Sequence, residues 1–226
     1  MLTRDARLGV LACAVLAILP VKAMAQTVAV TEDLPQVEVV VAGQPIVIAR
    51  NQDEAAVLTG DFAKTSRACP PFCVQPMQPV SGVQTIGELE LIAFLQDQVA
   101  AGTGVLVDAR LPEWFAKGSI PGAVNLPFAT LASDNPFRND ILMALGATPL
   151  GGDTFDFSGA AELTLFCNGA WSDQAMRGLR ALRAAGYPPE KLRYYRGGMQ
   201  DWQMLGLTVA QASAPAAPVA LAAGNE

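Results

Sequence analysis

The chain has 226 residues, 51% apolar and 16% charged, which suits one domain with extensions and argues against global disorder. Its 15 Lys and Arg against 21 Asp and Glu give a net charge of −6, which speaks against nucleic-acid binding. It contains no histidine, so Ser-His-Asp and Cys-His catalysis, His-ligated zinc and imidazole acid–base chemistry are excluded.

In chain order, Arg4 and Arg7 precede an apolar run at residues 8–21 and the small-x-small site Ala23-Met24-Ala25. That pattern predicts an export signal over residues 1–25 and a periplasmic or secreted protein, soluble and off the membrane after cleavage. Cleavage would leave 12 basic and 20 acidic residues and three cysteines, Cys69, Cys73 and Cys167. In an oxidising compartment the close pair Cys69 and Cys73 are natural disulfide partners, which leaves Cys167 a free thiol.

Residues 26–83 read as an N-terminal extension. Strands at 37–42 and 46–50 form a hairpin through Gly43-Gln44-Pro45, and residues 51–83 are mostly loop, punctuated by Pro70, Pro71, Pro76 and Pro79. Cys69-Pro70-Pro71-Phe72-Cys73 suits a structural disulfide first, a redox-active pair second, and a metal site least, since two thiolates alone make an incomplete zinc shell.

Residues 84–211 alternate strand and helix, which predicts an α/β domain with a mainly parallel sheet flanked by helices. Thr85 with Glu88 looks like a capping box for a helix through Leu89, Ile92, Ala93 and residues 95–99. Continuous apolar strands are expected at 104–108, 163–166 and 192–195, and a helix at 174–185 with Ala175, Leu179 and Leu182 on one face. Gly197-Gly198 precedes a short helix through Trp202. Residues 132–161 read as an insertion or long crossover, and residues 212–226 as a disordered Ala/Pro tail.

Cys167 ends the strand at 163–166 and is followed by Asn168-Gly169-Ala170-Trp171-Ser172 and then a helix. Ligands of open α/β sheets bind at the carboxyl ends of strands, where loop amides and a helix dipole favour a thiolate. The competing reading is a buried cysteine that merely ends a strand. Arg177 and Arg196 are candidates to hold an anion, Arg180 and Arg183 read as a solvated helix face, and Trp171 would wall the pocket.

Val107-Asp108-Ala109-Arg110, Glu113-Trp114, residues 118–127 (GSIPGAVNLP), Phe166-Cys167, Gly186-Tyr187 and Arg196-Gly197-Gly198 resemble, in order, the motifs of rhodanese-like proteins. The C-N-G-x-W loop and the upstream C-P-P-F-C segment are similar to those of an exported subgroup. The resemblance implies a small α/β domain and a sulfurtransferase that uses no cofactor or metal. Cys167 would carry a persulfide taken from a small sulfur-containing anion or persulfide donor and pass it to a thiol. It implies structural roles for Asp108, Arg110 and Glu113. Ser119 stands where the family has histidine, and the loop is longer than in short-loop sulfurtransferases. It lacks the arginine of the phosphatases in this superfamily. The alternative is a non-catalytic thiol-bearing module for a periplasmic thiol or redox protein.

Overall fold

The computed structural model describes residues 28–69 and 72–211, so the expected export signal and C-terminal tail lie outside the described residues. Strands β1 (Gln36–Val41) and β2 (Gln44–Ala49) pair antiparallel with Val41 opposite Gln44. The turn is therefore Ala42-Gly43 and not the expected Gly43-Gln44-Pro45. Both turn residues have positive φ, 49° and 76°, the mirror-image geometry whose twist suits a two-residue hairpin. Pro45 lies inside β2, which a two-stranded ribbon tolerates because both of its strands are edges.

The domain follows as β3 (Gln84–Ile86), α1 (Glu88–Phe94), β4 (Gly104–Asp108), α2 (Pro112–Phe115) and β5 (Ala123–Asn125). Then come α3 (Arg138–Ala144), a small hairpin of β6 (Thr148–Gly151) and β7 (Thr154–Asp156), β8 (Glu162–Phe166), α4 (Gln174–Ala184), β9 (Leu192–Tyr195) and α5 (Gly198–Met204). Residues 132–161 thus hold a helix and a hairpin of their own. The expected capping box is displaced: Thr85 sits in β3, and its hydroxyl donates to the Met77 carbonyl. Glu90 instead accepts the Gly87 N–H at 3.0 Å, so the helix starts two residues later than Thr85 would place it. After Phe94 the helix continues as a π turn, Leu95–Val99.

The sheet runs β3-β9-β8-β4-β5, all parallel, with β8 at its centre. Helices cover both faces, which is why β4 is buried at every position. Alternation sorts its residues into two cores. Val105, Val107, Leu163, Leu165, Cys167, Leu192 and Tyr194 face α3 and α4 and pack on Leu142, Ala175, Leu179 and Leu182. Leu106, Phe166 and Tyr195 face α1 and α5 and pack on Leu91, Leu95, Met199 and Trp202. The N-terminal hairpin adds Val37, Val39 and Ile48 to this second core.

Candidate active site

Cys167 follows β8 at the carboxyl edge of the sheet, and the loop after it is held from three sides. The Cys167 and Asn168 carbonyls accept the Met199 and Gln200 amides, each at 3.0 Å, which fixes the loop on the start of α5. That approach needs glycine at 198: its φ is +57°, and a Cβ there would lie 2.4 Å from the Cys167 carbonyl oxygen.

From the second side comes a buried ion pair. Arg110 donates Nε to Asp108 Oδ1 at 2.8 Å and Nη2 to Oδ2 at 2.6 Å, with both residues 1% exposed or less. Its remaining donors reach the Gly118 carbonyl at 2.8 Å and Asn168 Oδ1 at 3.4 Å, so the pair ties the loop after β4 to the cysteine loop. Ser119 donates to Asp108 at 2.7 Å, and Asn125 donates to the carbonyls of Asp108 and Arg110. Glu113 is exposed on α2 and takes no part in this network, because a four-residue helix turns it outward.

The third side is the N-terminal extension. The Gln75 amide donates to the Ala170 carbonyl at 3.1 Å, and Arg196 Nη2 donates to the Gln75 carbonyl at 2.8 Å. The Arg67 guanidinium lies over the Trp171 ring at 3.8 Å. Trp171 donates to Gln200, which donates in turn to the Phe62 carbonyl. Cys69 and Cys73 form a disulfide, Cα atoms 5.1 Å apart, and the Arg67 carbonyl lies against both sulfurs. Residues 60–69 and 72–77 therefore form a strap across the cysteine loop. None of Arg67, Gln75, Phe62 or Gln200 was singled out from the sequence; only the nearby cysteine pair marked the segment.

Beneath it, the Cys167 thiol is 1% exposed and unpaired. Its S–H donates to the Ser172 carbonyl, with the sulfur 3.5 Å from the oxygen. Burial pushes the thiol above its usual pKa, against the opposing pull of the Ser172 hydroxyl and the amides of Ala175 and Gly169, and the Asp108 charge adds to the rise. The Ser172 amide is not available to the thiolate, because it donates to the Gly169 carbonyl. Asp173 does not cap α4 with its side chain; its carbonyl accepts the Arg177 amide. Arg177 also departs from expectation, its guanidinium lying over Phe128 at 4.1 Å, whereas Arg196 reaches the strap above the loop.

The rhodanese-like domain family matches residues 91–205, half of the chain, including both the Asp108–Arg110 pair and the cysteine loop. The chain belongs to the rhodanese-like domain family. Over 109 residues it is 33% identical to an HTH-type transcriptional regulator of Mycobacterium tuberculosis, a match covering 48% of this chain and 38% of that one. Among solved structures, a thiosulfate sulfurtransferase from Pseudomonas aeruginosa is 20% identical, with a TM-score of 0.41, over 59% of this chain and 21% of that chain. The human single-domain sulfurtransferase TSTD1 is 25% identical, with a TM-score of 0.37, over 54% and 96%. The strap precedes the matched region of this rhodanese-like domain.

Proposed function

We propose that the protein is an exported sulfurtransferase that carries a persulfide on Cys167. One observation carries the reading: in a rhodanese-like domain, a free thiol directly follows the central strand and lies within the loop that leads into α4. Export is supported by the basic start, apolar run and A-x-A site at residues 4–25 and by the Cys69–Cys73 disulfide.

The Cys167 thiolate attacks the sulfane sulfur of a donor such as thiosulfate. A Cys167 S–S bond forms, the sulfane–sulfonate bond breaks, and sulfite leaves with the bonding pair. The thiolate of a thiol acceptor then takes the outer sulfur, which regenerates the Cys167 thiolate. The amides of Gly169 and Ala175 and the Ser172 hydroxyl stabilise the charge left on the inner sulfur. Because the thiol is 1% exposed, both half-reactions require the cysteine loop and the segments packed on it to open. Stoichiometric release of sulfite from thiosulfate, absent with Cys167→Ser, supports this function; no release from the wild type refutes it.

Two observations favour a second reading, a thiol-bearing module that binds a periplasmic thiol or redox protein. The thiol is covered, and Phe72, Val74 and Met77 expose apolar side chains on the strap. A partner captured equally by wild type and Cys167→Ser, with no sulfite release, selects this reading.

A further inference from the structure

Three polar atoms at the carboxyl end of the sheet are buried without a hydrogen-bond partner: Tyr194 Oη, Arg196 Nε and Gln174 Oε1. A fourth, Thr164 Oγ1, alternates onto the opposite face. The other three belong to residues that flank Cys167, on the neighbouring strand and at the start of α4. Leu165 pairs with Tyr194 and Phe166 with Tyr195, so one more step of the parallel register sets Cys167 beside Arg196. Tyr194 is fully buried in the same core as Cys167 and Leu165. Gln174 opens α4 one residue before Ala175, whose amide approaches the sulfur. Burial raises the Tyr194 hydroxyl above its usual pKa, and the charges of Cys167, raising, and Arg196, lowering, both reach it.

Buried polar groups left unpaired oppose folding, and each such group in a native structure needs an explanation. A tyrosine that only filled the core would serve better as phenylalanine, which has no hydroxyl to desolvate. We propose that Tyr194 and Arg196 form the seat of the transferred sulfur, their O–H and Nε–H donating to the anionic outer sulfur of a Cys167 persulfide. Gln174 lies alongside, and a half-turn of its carboxamide presents an N–H2 to the same group. An outer sulfur so held is stabilised by charge-assisted bonds that the resting thiol cannot make. The seat rests on the persulfide reading above and completes the same site.

The test compares wild type with Tyr194→Phe, using thiosulfate as donor. Persulfide formation is followed by intact mass, and iodoacetamide alkylation of Cys167 reports the thiol itself. Tyr194→Phe should unfold at the wild-type temperature or above and alkylate at the wild-type rate. It should nonetheless load sulfur about 10- to 100-fold more slowly, the loss expected for one hydrogen bond to a charged group. Arg196→Lys, which keeps the charge but lacks the Nε donor, should show the same deficit relative to its own alkylation rate, since it also loses the bond to the Gln75 carbonyl. Wild-type loading in either variant overturns the assignment, as does an alkylation rate in Tyr194→Phe that falls in step with loading. A wild type that takes up no sulfur overturns the persulfide reading and the seat with it.

Discussion

Asp108 and Arg110 show what a single residue contributes here. Both are buried, and the carboxylate accepts the Arg110 fork and the Ser119 hydroxyl together. Asp108→Ala would strand a guanidinium in the interior, which costs about 3–5 kcal/mol. Denaturant unfolding should show that loss, whereas Glu113→Ala, at an exposed position, should stay within about 0.5 kcal/mol of wild type. A loss below about 1 kcal/mol for Asp108→Ala would mean that the pair does not brace the site. Because Arg110 also reaches Asn168, the same variant should disturb sulfur loading as well as stability.

At the scale of elements, the strap holds the loop that follows the thiol. Its hold on the loop is a few hydrogen bonds and a stacked guanidinium, and the disulfide limits the conformations it can reach when it opens. Removing that constraint with Cys69→Ser and Cys73→Ser together favours the opened strap. Local opening then exposes Cys167 more often, so its alkylation by iodoacetamide should accelerate on the order of tenfold. An unchanged rate would show that the disulfide has no influence on access. The strap was the least legible element in the sequence. Gln75 meets Ala170 through backbone atoms 95 positions apart, a contact that leaves no mark on residue type. The parallel strands were legible because burial on both faces makes them continuous apolar runs, as in Gly104–Asp108 and Glu162–Phe166. Strands β3 and β5 span three residues each, too few for any period to register. Arg177 and Arg196 looked alike as anion holders; only tertiary packing sends the first onto Phe128 and the second to the strap.

For the whole molecule, burial of the thiol couples stability to pH. The folded thiol is held above its usual pKa, while the unfolded chain releases that proton near pH 8.5. Its contribution to stability is complete below about pH 8.5 and is lost as pH rises toward the folded value. The buried Tyr187, Tyr194 and Tyr195 hydroxyls, also raised by burial, add losses of the same sign above about pH 10. Unfolding free energies across pH 7 to about 10 should therefore decline above about pH 8.5, with a shallower decline in Cys167→Ser. A rise with pH, or the same decline in both proteins, would contradict the account. The cradle at the end of β8 and the strap above it meet in one question, whether Cys167 carries sulfur. The most direct measurement is the intact mass of the protein after incubation with a persulfide donor, in wild type, in Cys167→Ser and in the Cys69→Ser/Cys73→Ser variant. The account predicts one added sulfur atom on wild type, faster addition without the disulfide, and none on Cys167→Ser. An equal gain on Cys167→Ser, or no gain even with the strap released, would contradict it.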